Sequence, residues 1–230
     1  MSATFINAAA VILGSLIGLL LGKKISTSFK TVVMTSAGVV TLLLGIQMAL
    51  ETPSALANLF ALIFGGFIGF ALNIEKRVLS LGDKMGALTK NNSSGNFGLG
   101  FLNASLLFCT GAMSVVGSIN AGTTGDSSLI LIKSVMDGFM AIVFAAAYGV
   151  GVFASALTII IYQGFFTLAG GFIQPLLGSS GIEALSSTGG FLLIMLSLSL
   201  LSLKDCHTGN FLPALILAPI FQYLYSLLPL

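Results

Sequence analysis

Long apolar runs broken by short polar interruptions fill this chain. A helical run of ~17–25 residues crosses the ~30 Å hydrocarbon core of a bilayer. Eight runs approach or meet that length: Phe5–Gly22, Val32–Leu50, Ala55–Ile74, Phe97–Ile119, Ser128–Tyr148, Val152–Leu176, Ser187–Leu203 and Phe211–Leu228. They predict an all-α integral membrane protein of about eight transmembrane helices, folded as a single membrane domain over residues 1–230. Only Tyr148-Gly-Val-Gly151 separates the fifth and sixth runs, which predicts a tight glycine hairpin. The fourth run carries Thr110-Gly111, Gly117 and Asn120-Ala-Gly122, which equally suit a broken or re-entrant segment. In the re-entrant case seven helices cross.

Composition agrees: 56% of residues are hydrophobic and 7% charged, with a mean hydropathy of +1.08, far outside the range of soluble domains. In an eight-helix topology Lys23, Lys24, Lys30, Lys76, Arg77, Lys84, Lys90 and Lys204 share one side, and Glu51, Asp126 and Glu183 the other. The basic side is cytoplasmic by the positive-inside rule, so both termini are expected outside. The apolar run near Met1 has no basic segment ahead of it and reads as a helix rather than a signal peptide. The stretch 75–96, ending in Lys90-Asn-Asn-Ser-Ser-Gly95, reads as a flexible cytoplasmic linker loop. The net charge of +2 is spread over separate loops without an aromatic stacking pattern, so nucleic acid is not an expected partner.

Gly18, Gly38 and Asn58 recur as Gly170, Gly190 and Asn210 at one constant offset, with Ser15/Thr167 and Thr35/Ser187 in support. The loops after the matching runs carry opposite charge, Lys23 and Lys24 against Glu183, and Glu51 against Lys204. The expectation is an inverted-topology repeat, with repeat A over about 5–74, repeat B over about 152–228, and polar central helices over about 97–148. Secondary transporters are commonly built this way, around a site near the bilayer midplane. Thr110-Gly-Ala-Met-Ser-Val-Val116 also resembles Asp137-Gly-Phe-Met-Ala-Ile-Val143, which would make the two central helices a symmetry-related pair.

That central region concentrates the polar residues. Lys133 and Asp137 lie within an apolar run, where either costs ~2.5–3.5 kcal/mol on insertion scales, so a wet cavity or a partner is expected. The candidate substrate or ion-binding residues are Asp137, Lys133, Thr110, Gly111, Ser114, Asn120, Asp126, Gly138, Asn58 and Asn210. Other readings stand beside the functional one. Lys133 and Asp137 are spaced for a neutralising pair on one helix face, and Lys133 can instead snorkel towards the interface. Asp126 or Ser127 suits a helix cap, and capping competes with substrate contact at Asn58 and Asn210. Gly14, Gly18 and Gly22 form a small-residue stripe for close helix packing.

Other chemistries find little support. His207 is the sole histidine, beside Asp205 in a loop, with no second metal-ligand pattern, and reads as a solvated side chain. A disulfide between Cys109 and Cys206 is not expected, and no Walker-type phosphate loop is present. The chain is therefore not expected to be an enzyme or to need a cofactor or metal.

Cys109-Thr-Gly-Ala-Met-Ser-Val-Val-Gly-Ser118, Asn120-Ala-Gly-Thr-Thr-Gly-Asp126, Lys133-Ser134, Asp137-Gly138 and Gly209-Asn210-Phe-Leu-Pro-Ala214 together resemble the bacterial multi-pass membrane family known as domain of unknown function 554. The resemblance covers essentially the whole chain and implies the bacterial cytoplasmic membrane. It carries no established substrate. The function expected from the residues is a secondary transporter of a small polar or anionic solute, coupled to protons or cations. A passive channel and a membrane scaffold are the alternatives. The expected partners are membrane lipid, a small solute or ion, and a second copy in a homo-oligomer.

Overall fold

The computed structural model describes residues 1–22, 27–88, 94–109 and 112–227. The described residues are helical almost throughout: α1 (Ser2–Gly22), α2 (Thr27–Leu50), α3 (Ala55–Leu72), α4 (Ile74–Leu88), α5 (Ser94–Cys109), α6 (Ala112–Thr123), α7 (Ser128–Tyr148), α8 (Gly151–Leu200), a 3-10 turn (Thr208–Phe211) and α9 (Pro213–Ser226). Four of these helices, α1, α3, α7 and α8, are long and apolar enough to cross a membrane, and α5 with α6 makes a fifth candidate bent by 60°. That bend falls where the glycines of the fourth run marked a break. Large apolar side chains such as Phe172 (86% exposed) and Phe67 (72%) face outward, as lipid-facing residues do and soluble surfaces rarely allow.

Two turns follow from glycine. Gly149, at φ 86°, ends α7, and α8 begins at Gly151, so the short hairpin forms as its sequence predicts. Within α8, Gly178 has φ 63° and ψ −179°, a conformation costly for any residue with a Cβ. It divides α8 into a first limb (151–177) and a second limb (179–200). One reading is corrected: residues 74–88 form α4 where a flexible loop was expected. Its apolar residues Ile74 and Val78 recur at helical spacing, and Val78 and Leu79 pack against the main core.

Packing fixes the relative directions of the helices. The stripe Gly14, Gly18 and Gly22 lies against the backbone at Gly138, Ile142 and Ala146 in the same order, so α1 and α7 run parallel with no room for a Cβ between them. The first limb of α8 runs parallel to α5: Gly100 meets Tyr148 and Val152, and the Ser105 hydroxyl donates to Thr158 at 3.0 Å. The second limb runs antiparallel to α2, with Gly38 at Leu201 and Gly45 at Gly190. Likewise α3 and α9 are antiparallel, with Gly65 at Ala214 and Gly69 at the Asn210 carbonyl. Residues from α1, α5, α7 and both limbs of α8 share the principal core, including Val11, Phe108, Phe144, Ile159 and Leu196.

Candidate functional site

The glycine contact that brings α1 onto α7 also sets Asn7, two turns before Gly14, against Asp137. There the Asn7 amide donates to Asp137 Oδ2 at 3.0 Å. Lys133 Nζ donates to both carboxylate oxygens, at 2.7 and 2.6 Å. Lys133 and Asp137 are only 6% and 5% exposed. An ion pair this dry is held by mutual attraction and by Asn7, because water screens little of it. The snorkelling reading of Lys133 is therefore corrected: its ammonium turns inward to Asp137. Asn7 is the partner that sequence reasoning missed, although a lone amide within an otherwise apolar helix is a visible signal.

The pair lines a cavity of ~220 Å³ beside the end of α2, with Gln47 on that helix and Glu51 just past it. Its walls are apolar, with Met48, Met113, Met136 and Met140 among them. A second cavity, of ~410 Å³, lies at the opposite end of the same helices, lined by Glu75, Asn103, Tyr148, Ser199, Lys204 and Asp205 among others. The two approach closely. On α5 the lining passes from Asn103 in the second cavity to Leu107 in the first, and on α8 from Leu196 to Leu193. Each step is about one helical turn, ~5 Å. Phe144 is 1% exposed and sits one turn from both Met140 and Tyr148, so an apolar plug closes the path.

Other candidates lie elsewhere. Ser114 is buried on α6 and accepts from the Gln163 amide at 3.2 Å, a contact between α6 and the first limb of α8. Gly138 serves the close approach of α1. Asp126 Oδ1 accepts the Ser128 amide at 3.0 Å in a turn just ahead of α7, whose N-cap Ser127 makes no side-chain cap bond, and hydrogen bonds from Ser128 hold the Asp126 carboxyl below the usual range. Asn120 lies on the last turns of α6, away from the pair, and its carbonyl accepts from Thr124. Thr110 and Gly111 lie outside the described residues.

Asn58 neither caps nor opens to a cavity. Ser54 caps α3 by accepting from Ala57, while the Asn58 amide donates to Ser187 at 2.7 Å and to Thr52 at 3.0 Å, and its oxygen accepts from Thr188 at 3.3 Å. It clasps α3 to α8. Asn210 accepts the Glu75 amide at 3.0 Å, capping α4 from across the chain. Glu75 in turn accepts from Gly209 at 2.8 Å and pairs with His207 Nδ1 at 3.0 Å. The expected solvated histidine is thus anchored. Glu75, Asp205 and His207 bring their ligand atoms within 4.8 Å of one another, and the hydrogen bond to the Glu75 carboxylate, then the charge of Asp205, raises the His207 pKa.

Comparison with known proteins places this arrangement. Over 224 residues the chain is 30% identical to the uncharacterized membrane protein YdfK of Bacillus subtilis (strain 168), covering 96% of the chain and 95% of that protein. Over 218 residues it is 30% identical to the uncharacterized protein YqgA of Escherichia coli (strain K12), covering 93% of each. No solved structure matches the chain. Residues 2–223 match the family described as "Protein of unknown function (DUF554)", and this membrane protein belongs to that family.

Proposed function

We propose that the chain is a secondary transporter of a small polar or anionic solute in the bacterial cytoplasmic membrane, working by alternating access. The observation that carries this reading is the pair of cavities towards opposite ends of α5, α7 and α8, separated on α5 and α8 by about one turn of packed apolar side chains. Repacking Leu107, Leu193, Leu196 and Phe144 would close one cavity and open the other. Asp137, held by Lys133 and Asn7, is the group that exchanges a proton or cation as the pair opens to solute.

Helix directions support an eight-crossing inverted architecture with both termini on one side, which the positive-inside rule makes the outside. Count α5 and α6 as one broken span and the limbs of α8 as two. Spans one and five are then parallel, four and six are parallel, and two with seven and three with eight are antiparallel. Strict alternation across a bilayer requires all four relations. The two central elements are also held alike: α1 packs on α7 through Gly18 at Ile142, and the first limb of α8 packs on α6 through Gly170 at Ile119. In each case an amide of the outer helix donates to the central one, Asn7 to Asp137 and Gln163 to Ser114. The plug argues against a permanently open pore, and a homodimer would shield the moving helices from lipid.

The test is exchange of labelled solutes in vesicles reconstituted with the protein. Saturable countertransport that Asp137→Asn abolishes, with assembly unchanged, is the expected result. Undiminished, normally pH-dependent exchange by that variant would sink the assignment, and single-channel conductance would replace the transporter by a channel.

A further inference from the structure

We infer that the cavity lined by the Lys133–Asp137 pair takes a net-neutral α-amino acid with an aliphatic or thioether side chain of about leucine or methionine size. The inference rests on the transporter reading only for its meaning, since it concerns what this cavity binds.

The pair offers one place for each charged end of such a ligand. An ammonium has three N–H donors. Lys133 directs two hydrogen bonds to Asp137, which among the described residues leaves one donor for a carboxylate. On Asp137, Oδ2 already accepts from Lys133 and Asn7, whereas among the described residues Oδ1 accepts from Lys133 alone and retains a lone pair for an ammonium. The Glu51 carboxylate at the mouth favours the ammonium end and disfavours a bare anion.

Charge balance selects between ligand classes. The pair is neutral as it stands, and the walls are apolar. A simple carboxylate would add an uncompensated negative charge to a lining that already holds Glu51, and a simple amine would leave the remaining Lys133 donor unanswered in apolar surroundings. A zwitterion adds none and satisfies both free positions. Methionine walls adapt their shape to an aliphatic body, and ~220 Å³ falls below the ~300–1,000 Å³ typical of sites for drug-sized ligands.

The experiment is calorimetric titration of the purified full-length protein with L-leucine, 4-methylpentanoate, 3-methylbutylamine and L-glutamate, alongside leucine exchange in vesicles. Leucine is expected to bind at least tenfold more tightly than each of the others, and Met136→Trp, which fills the cavity from its wall, to weaken it at least tenfold. A Met140→Trp variant provides the same reading should the first not fold. Equal binding of 4-methylpentanoate or of 3-methylbutylamine would overturn the inference in favour of an anion or a cation site, and no leucine binding would overturn it outright. Leucine binding without exchange would sink transport and leave the ligand class standing. Exchange of other solutes without leucine binding would do the reverse.

Discussion

The Lys133–Asp137 and His207–Glu75 pairs are nearly equal in length, 2.6 and 3.0 Å, and differ in almost everything that length does not measure. The first pair is enclosed, with side chains 8% and 7% exposed, while the His207 side chain is 55% exposed. Desolvation makes the buried pair costly to build and far costlier to halve. Screening makes the exposed pair cheap to hold and cheap to lose. A contact of the same geometry is therefore a candidate working part in one region and a local fastening in the other.

The sharpest break of this contrast is Asp137→Ala, which strands a buried ammonium. Stability is expected to fall by roughly 3–5 kcal/mol, read from thermal unfolding of the purified protein. The double variant Lys133→Met with Asp137→Leu should recover most of that loss while exchange stays absent. A single variant as stable as the parent would mean that the pair is already hydrated and would erase the distinction. Next comes Gly18→Leu, whose side chain must enter the space held by the Ile142 carbonyl and Ala145. Overpacking costs ~1–3 kcal/mol, and parting α1 from α7 also withdraws Asn7 from Asp137, so exchange should fall with stability.

Asn58 tests the opposite role, a buried polar group that serves only the fold. Asn58→Leu removes three hydrogen bonds and leaves Ser187 and Thr188 facing an apolar side chain. A loss of ~1–3 kcal/mol is expected, with exchange retained at a temperature where the variant is folded. Exchange lost from a well-folded variant would move Asn58 into the transport site.

Those two roles were unequally legible in the sequence. Apolar length revealed α1, α3 and α7, and glycine spacing revealed the hairpin at 149–150 and the break in the fourth run, because each depends on local chemistry. The helix α4 was hidden because Glu75, Lys76, Arg77, Asp83 and Lys84 interrupt its apolar residues, and its apolar face is explained only by packing against distant helices. Lys133 and Asp137 stood out as charges within an apolar run. Asn7 is far from both in sequence and is joined to them only by the parallel packing of α1 on α7. Asn58 and Asn210 were visible as a recurrent pair, but their roles diverge. One clasps α8 and the other caps α4, and neither role follows from the residues around it.

The smallest effect belongs to the exposed pair. The His207 pKa is raised by its hydrogen bond with Glu75 and the charge of Asp205, so the protonated form favours the folded state. The contribution is therefore complete below the ordinary histidine value of ~6.5 and disappears as pH rises through the higher folded-state value. Screening holds it to ~1 kcal/mol or less. The gap in melting temperature between the parent and His207→Ala should accordingly be small at pH 5.5 and narrow further by pH 8.5. Asp137→Ala should remain strongly destabilised at both. If the His207 gap instead persisted unchanged at pH 8.5, the fastening would rest on packing against Phe70, 6.3 Å away between ring centres, and not on charge. The comparison would then be between a buried ion pair and an aromatic contact.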